Sequence, residues 1–471
     1  MVQIEIKLDP VPGADGANGV LTSKHSAVLH RHLDHEFLVL DQAKGNYLLL
    51  EDGRKIIDAS GGAAVGSIGW GNERVALAVA KQVLAAPYCA TIFFTTIPQE
   101  ELAKELIAGT GGDMARAYIV NSGSEAMEAA LKLARQYYLE IGQPQRSRFI
   151  SRERSYHGIT LGALAVGGHK ARRAKFEPLL MDNVSQVSPC FAFRGKAAGE
   201  SDTDYVHRLA VELDDEFQRV GPETVCAFVA EPVVGAALGC ATAVAGYFKA
   251  VKAICEKHGA LLILDEVMCG MGRTGTLHAW QQEGVVPDIQ TIGKALSGGY
   301  QAVAGVLVNQ RVVGALEKGT SAFVHGHTYQ GHPAGCAAAL EVQRIIREEG
   351  LLENVRQMGD LLEKRLRAQL AGHPNVGDIR GRGLFWGVEL VADKASMTPF
   401  PDADHVCMEI CELGLDEKYS ILVYPGGGSV DGIRGDHIIL APAFNIKPDE
   451  IETIAATVAR LISDYFAAKG Q

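Results

Sequence analysis

The sequence predicts an α/β fold, with a mostly parallel sheet covered by helices on both faces and a second, smaller domain after it. Three observations predict this. Between about Ala117 and Val308, short apolar runs of strand length alternate with helix-length amphipathic segments, the pattern of strand–helix–strand units. After Pro333 the pattern changes to long helices followed by short strands. The chain has 471 residues and is 47% hydrophobic, enough to fill two or three compact cores rather than one.

Taken in order, the first ~20 residues are rich in Gly, Pro and Asp and read as a mobile arm. Helices are expected at about Asn72–Ala86 and Pro98–Ala108. Ala117–Val120 reads as a strand, Ser124–Glu140 as a helix and Arg148–Ser151 as a strand. Then come a helix at Tyr205–Val220, a strand at Val225–Ala230 and a helix at Tyr247–His258. Strands at Leu261–Leu264, Ile289–Ile292 and Ala304–Val308 complete the sheet. Helices at about Pro333–Glu348 and Leu352–Leu370 lead to strands at Leu384–Val391 and His437–Leu440. In the last helix, Ile451, Ile454, Val458, Leu461 and Tyr465 recur at alternating spacings of three and four, an apolar face that must pack on something.

Composition narrows the function classes. Net charge is −11, from 45 basic and 56 acidic residues, and no long Lys/Arg cluster occurs, which argues against a nucleic-acid partner. No apolar run reaches membrane-spanning length, and Met1–Pro10 lacks the apolar stretch of a secretory signal, so no membrane partner is expected. The nine cysteines are scattered and odd in number, which fits reduced thiols in the cytoplasm.

Two strand ends carry the chemistry. Leu261–Leu264 runs into Asp265, and Pro287–Ile292 runs through Gly293 into Lys294. Such a pair is what pyridoxal phosphate chemistry needs. A lysine amine forms an imine with the cofactor aldehyde, and a carboxylate keeps the pyridine nitrogen protonated so that the ring accepts electrons from the substrate Cα. Asn121-Ser122-Gly123-Ser124-Glu125 lies between a strand and a helix, with capping-box spacing of Ser122 and Glu125 and free N–H groups for a phosphate. Tyr156, beside His157, offers an aromatic face to a flat ring. Val267, placed on Asp265's side by strand alternation, offers cover for the other face. Glu231 ends another strand, where it can adjoin a cofactor or pair with an arginine. Each has a plain structural reading when taken singly: a capped helix, a buried tyrosine, a core valine, a turn-capping aspartate, a surface lysine. The five-residue spacing of His327 and His332 does not suit a helical metal pair, so no metal is expected.

In order and spacing these motifs, with Gly270-x-Gly272-Arg273-Thr274-Gly275 and Thr328 to Pro333, resemble the class III pyridoxal-phosphate-dependent aminotransferases of fold type I. The likeness covers nearly the whole chain after the arm. The run Gly326–Pro333 looks like the ω-amino acid and amine:pyruvate branch. The resemblance implies a large domain with a mostly parallel seven-stranded sheet and a smaller α+β domain built from both chain ends. It divides the chain into 1–65 (arm and part of the small domain), 66–330 (large, cofactor-binding) and 331–471 (C-terminal small domain). It further implies that Lys294 holds pyridoxal 5'-phosphate as a Schiff base and shuttles the proton at Cα, while Asp265 pairs with the pyridine nitrogen. Tyr156 and Val267 would cover the two ring faces, with His157 and Glu231 beside the cofactor. Ser122, Gly123 and Ser124 would bind the phosphate. Thr328 would reach the phosphate of a neighbouring subunit's cofactor, which makes the protein a homodimer or a tetramer. Phe93 and Phe94 would line the substrate pocket across that interface. Arg434, in the Gly-rich segment Tyr424–His437, would bind a substrate carboxylate, with Arg382 as the next candidate. Ala63 and Ala64 stand where some amine transaminases carry a bulky aromatic. The expected reaction is ping-pong transfer of an amino group from an amine or ω-amino acid to a 2-oxo acid, pyruvate first among them. The same scaffold also serves racemases, aminomutases and decarboxylating relatives.

Overall fold

A computed structural model describes residues 20–470; the expected N-terminal arm lies outside them, apart from its last residue. The central sheet has seven strands: β1 (Arg116–Val120), β2 (Arg148–Arg152), β3 (Val184–Val187), β4 (Val225–Ala230), β5 (Leu261–Asp265), β6 (Ile289–Ile292) and β7 (Ala304–Val308). Their order is β1-β7-β6-β5-β4-β2-β3. All neighbours are parallel except β7, which runs antiparallel to both β6 and β1. The strand β3 has no counterpart in the sequence reading. Its Val-Ser-Gln-Val run is too short and too polar to stand out, and it pairs only at the sheet edge with β2.

Burial on both faces explains the apolar runs. In β5 every residue is buried, and alternate residues go to opposite sides. Leu261 and Ile263 pack with Ala126, Met127, Ala130 and Ala134 of helix α1 (Gly123–Glu140). Leu262 and Leu264 pack with Leu209, Leu213 and Phe217 of the helix Asp202–Val220 and with Phe248. The small alanines of α1 let that helix lie close on the sheet.

Two four-stranded sheets stand beside this body. One joins Leu40–Lys44, Tyr47–Leu50 and Lys55–Asp58 to Ile421–Leu422, so both ends of the chain build it. The other is antiparallel, in the order Val376–Gly381, Trp386–Leu390, Asp436–Leu440, Tyr424–Gly427. The amphipathic last helix, Pro448–Ala468, buries Ile454, Val458 and Leu461 in one cluster with Leu362 and Leu366 of the helix Leu351–Leu370. Arg273 ties the parts together. Fully buried, it donates to the carbonyls of Gly66, Leu384 and Pro442, and burial pushes its pKa down to about 9.

Candidate active site

Parallel strands end side by side, so the loops that follow them converge on one edge of the sheet. Asp265 closes β5, Glu231 follows β4, the Tyr156–Gly158 turn follows β2, Gly293 and Lys294 follow β6, and the start of α1 follows β1. Together they line a cavity of about 230 Å³, completed by Arg31, Ala63, Arg172, Ala236, Met268 and Tyr424. The sequence-predicted Gly123, Ser124, Tyr156, His157, Glu231, Asp265, Val267 and Lys294 all lie on its wall.

The Asp265 carboxylate is held from three directions. Its Oδ1 accepts from the Val267 N–H at 3.1 Å and the Thr291 hydroxyl at 2.8 Å, and its Oδ2 accepts from His157 Nδ1 at 2.8 Å. With Nδ1 donating, His157 Nε2 is a buried ring nitrogen that has no partner. Thr291 is the register partner of Asp265 across the parallel pair β5–β6, a relation that only strand pairing reveals. Val267 reaches the cavity for a different reason from the alternation expected. The strand stops at Asp265, and the Val267 N–H turns back onto that side chain.

Lys294 has neither an ion-pair partner nor a hydrogen-bonded one among the described residues, and its backbone is left-handed at φ 46°. Burial pushes its pKa down, and the nearby Asp265 and Glu231 partly offset that. The direction favours the neutral amine, the form that attacks a carbonyl. Among the described residues the Glu231 carboxylate pairs with no arginine; Arg152 donates to its backbone carbonyl. The carboxylate oxygens accept from the Tyr156 N–H at 3.0 Å and the Gly235 N–H at 3.2 Å, and burial raises the Glu231 pKa.

The start of α1 carries the expected capping box. Ser122 Oγ accepts from the Glu125 N–H, and Glu125 Oε2 accepts from the N–H groups of Asn121 and Ser122. Ser122 is thus spent on capping and does not line the cavity, whereas Gly123 and Ser124 do. Their N–H groups fall in the first turn, which has no intrahelical acceptor. Gly123 is required for packing, because a Cβ there would sit 2.8 Å from Val267 Cγ1. At Gly158, with φ 131°, a Cβ would lie 2.6 Å from Ser124 Oγ.

Besides Ser122, five expected residues lie off the cavity of this chain. Phe93 and Phe94 are 78% and 64% exposed, and Thr328 is exposed. Arg434 is on the surface, its Nε donating to Asp431 at 2.8 Å, while Arg382 pairs with Glu283. Conversely, Arg31, Arg172, Met268 and Tyr424 belong to no motif, and only the fold brings them to the site.

The profile of the aminotransferase class-III family matches residues 28–460. The chain is a class III aminotransferase. It is 52% identical to an aminotransferase of Gibberella zeae, over 94% of this chain and 87% of that one. It is 46% identical to an uncharacterized aminotransferase of Schizosaccharomyces pombe, over 95% and 97%. The omega transaminase of Pseudomonas jessenii, solved in complex with PMP, superposes with a TM-score of 0.85 at 32% identity, covering 91% of this chain and 93% of that one. This aminotransferase thus belongs to the fold type I, omega-transaminase branch. It uses pyridoxal 5'-phosphate to move an amino group from an amine or amino acid to a 2-oxo acid by a ping-pong course. The cavity fits that cofactor. It presents an unpaired lysine amine, a carboxylate already fixed by three donors, an aromatic face at Tyr156 and free N–H groups at a helix start. Burial raises the Tyr156 pKa, which keeps its phenol neutral.

Proposed function

We propose that this aminotransferase takes its nitrogen from a primary amine or an ω-amino acid and delivers it to pyruvate. The observation that carries the reading is the wall above Lys294. Ala63, Ala236, Val267 and Met268 leave it apolar and open, as an uncharged amine requires, while Arg31 and Arg172 line the same cavity to receive a carboxylate.

Bound pyridoxal phosphate supplies an electron sink for the substrate Cα and carries the nitrogen between the two half-reactions. The residues do the rest. The Lys294 amine would hold the cofactor through its aldehyde and would move the proton at the substrate Cα in each direction. Asp265 would keep a proton on the ring nitrogen, with His157 on its Oδ2 and Thr291 on its Oδ1 fixing the carboxylate's orientation. Tyr156 and Val267 would hold the ring from its two faces, and Glu231 would adjoin it. Gly123 and Ser124 would take the phosphate, next to the turn that Ser122 caps.

We read the working assembly as a homodimer, or a tetramer made of dimers. A strip of large apolar side chains supports this: Ile92, Phe93, Phe94 and Ile97 are 82%, 78%, 64% and 76% exposed, with Val324 and Tyr329 also bare. In such a dimer Phe93, Phe94 and Thr328 would serve the neighbour's cavity. The nine unpaired cysteines support a reducing compartment, and we place the protein in the cytoplasm.

Half-reactions test the substrate reading. An apolar amine or an ω-amino acid, added alone, converts the cofactor to its amine form, and pyruvate restores the aldehyde form. A protein converted only by α-amino acids would overturn it, as would one that pyruvate fails to restore.

A further inference from the structure

We propose that Arg172 is the residue that binds the substrate carboxylate. This rests on the donor and acceptor reading above and names the group that recognises the charged end.

The charges in the cavity divide into those already satisfied and those that are not. Asp265 and Glu231 are each held by donors of the protein. Lys294 is committed to the cofactor. Arg172 alone is an always-charged group, partly buried on the cavity wall, with no ion pair and no side-chain hydrogen bond among the described residues. Its Nε is out of reach of water and without a partner. Such a group is costly to leave unpaired, and a substrate carboxylate is the partner that would complete it.

The guanidinium is also positioned. Its carbon lies 4.8 Å from the centre of the Tyr156 ring, the ring expected to cover the cofactor. Its short helix α2 (Lys170–Arg173) is pinned at both ends. On one side Arg173 Nη1 donates to the carbonyls of Leu164, Ala165 and Gly167. On the other, the Ala171 N–H donates to the Gly432 carbonyl at 3.3 Å, and Gly432 packs so close to Lys170 that a Cβ would lie 2.9 Å from its Cγ. The Gly-rich segment therefore contributes to recognition by seating α2. Its own Arg434 is engaged with Asp431. Arg31 lines the same cavity but is exposed, so its charge is screened by solvent.

The test uses two donors of matched length, 4-aminobutanoate and butylamine, with pyruvate as acceptor and butyrate as an unreactive ligand. Holoenzyme carrying Arg172→Met should show KM for 4-aminobutanoate and for pyruvate raised about 10- to 100-fold, the size of a charge-assisted paired hydrogen bond. Its half-reaction with butylamine should keep the wild-type rate, and its Kd for butyrate, measured by calorimetry, should rise by the same factor. Arg172→Lys keeps the charge and loses the fork, so it should fall between the two, and it stands in if the Met variant fails to fold. Equal losses with both donors, or an unchanged butyrate Kd, would overturn the assignment. If wild-type enzyme uses neither donor, the donor reading fails, and butyrate and pyruvate still decide the role of Arg172.

Discussion

The floor and the mouth of the cavity are built on opposite terms. On the floor, Asp265 is held in place: Val267, Thr291 and His157 each donate to it, and all but Val267 are deeply buried. At the mouth, Arg172 is unpaired and Arg31 is exposed. A charge so fixed is preorganised, so it stabilises developing charge without rearranging. An unpaired charge is a receptor. The floor is therefore suited to the invariant part of the reaction and the mouth to choosing the substrate.

Substitutions can break this division. The largest effect belongs to the floor. Asp265→Ala should cut kcat on the order of 10²-fold or more, through loss of a preorganised electrostatic partner. Steady-state kinetics on the variant with cofactor bound would refute the floor's role if kcat stayed the same. Next in size is the exposed strip. Replacing Phe93 and Phe94 together by Asp removes about 1.5–3 kcal/mol of burial per side chain at a subunit contact. Sedimentation should then show inactive monomers where the wild type is expected to run as a dimer, and an active monomer would mean that each chain's cavity is complete alone. Thr291→Val takes away one of the two donors on Asp265 Oδ1. We expect kcat to fall about tenfold with KM unchanged, in line with about 1.5 kcal/mol for a hydrogen bond to a charged group. A larger change in KM than in kcat would move Thr291 from the floor to substrate binding. The smallest effect is expected at Arg434→Ala, with KM for 4-aminobutanoate changed by less than about twofold, as for an exposed ion pair. A rise as large as that of Arg172→Met would shift recognition from α2 to the Gly-rich segment.

The same division governs what the sequence discloses. Strands buried on both faces favour apolar runs, so β4, β5 and β7 are legible from their residues, while β6 is marked only by Ile289 and Ile292 around Gln290 and Thr291; the acid and the lysine follow two of these strands. The capping box at Ser122 and Glu125 is equally local and is present as spaced. Thr291 is invisible because its partner is fixed by strand register. Arg172 is invisible because a basic residue in the run Lys170-Ala171-Arg172-Arg173 looks like solvated surface until Gly432 and Tyr156 are brought to it. Arg434 is read differently in sequence and structure. Its glycine neighbours suggest a mobile arm, yet Asp431, three residues earlier, accepts from its backbone N–H and its side chain alike. Phe93, Phe94 and Thr328 lie off this chain's cavity, so a role for them would have to come from a neighbouring chain in the proposed dimer.

The central claim is that Lys294, free of any ionic partner at the end of β6, is where the cofactor is attached. Borohydride reduction of the holoenzyme followed by peptide mapping tests it most directly. The account predicts that the reduced cofactor is found on Lys294 and that Lys294→Ala enzyme takes up no label. A tag on any other lysine, or full labelling of the variant, would contradict it.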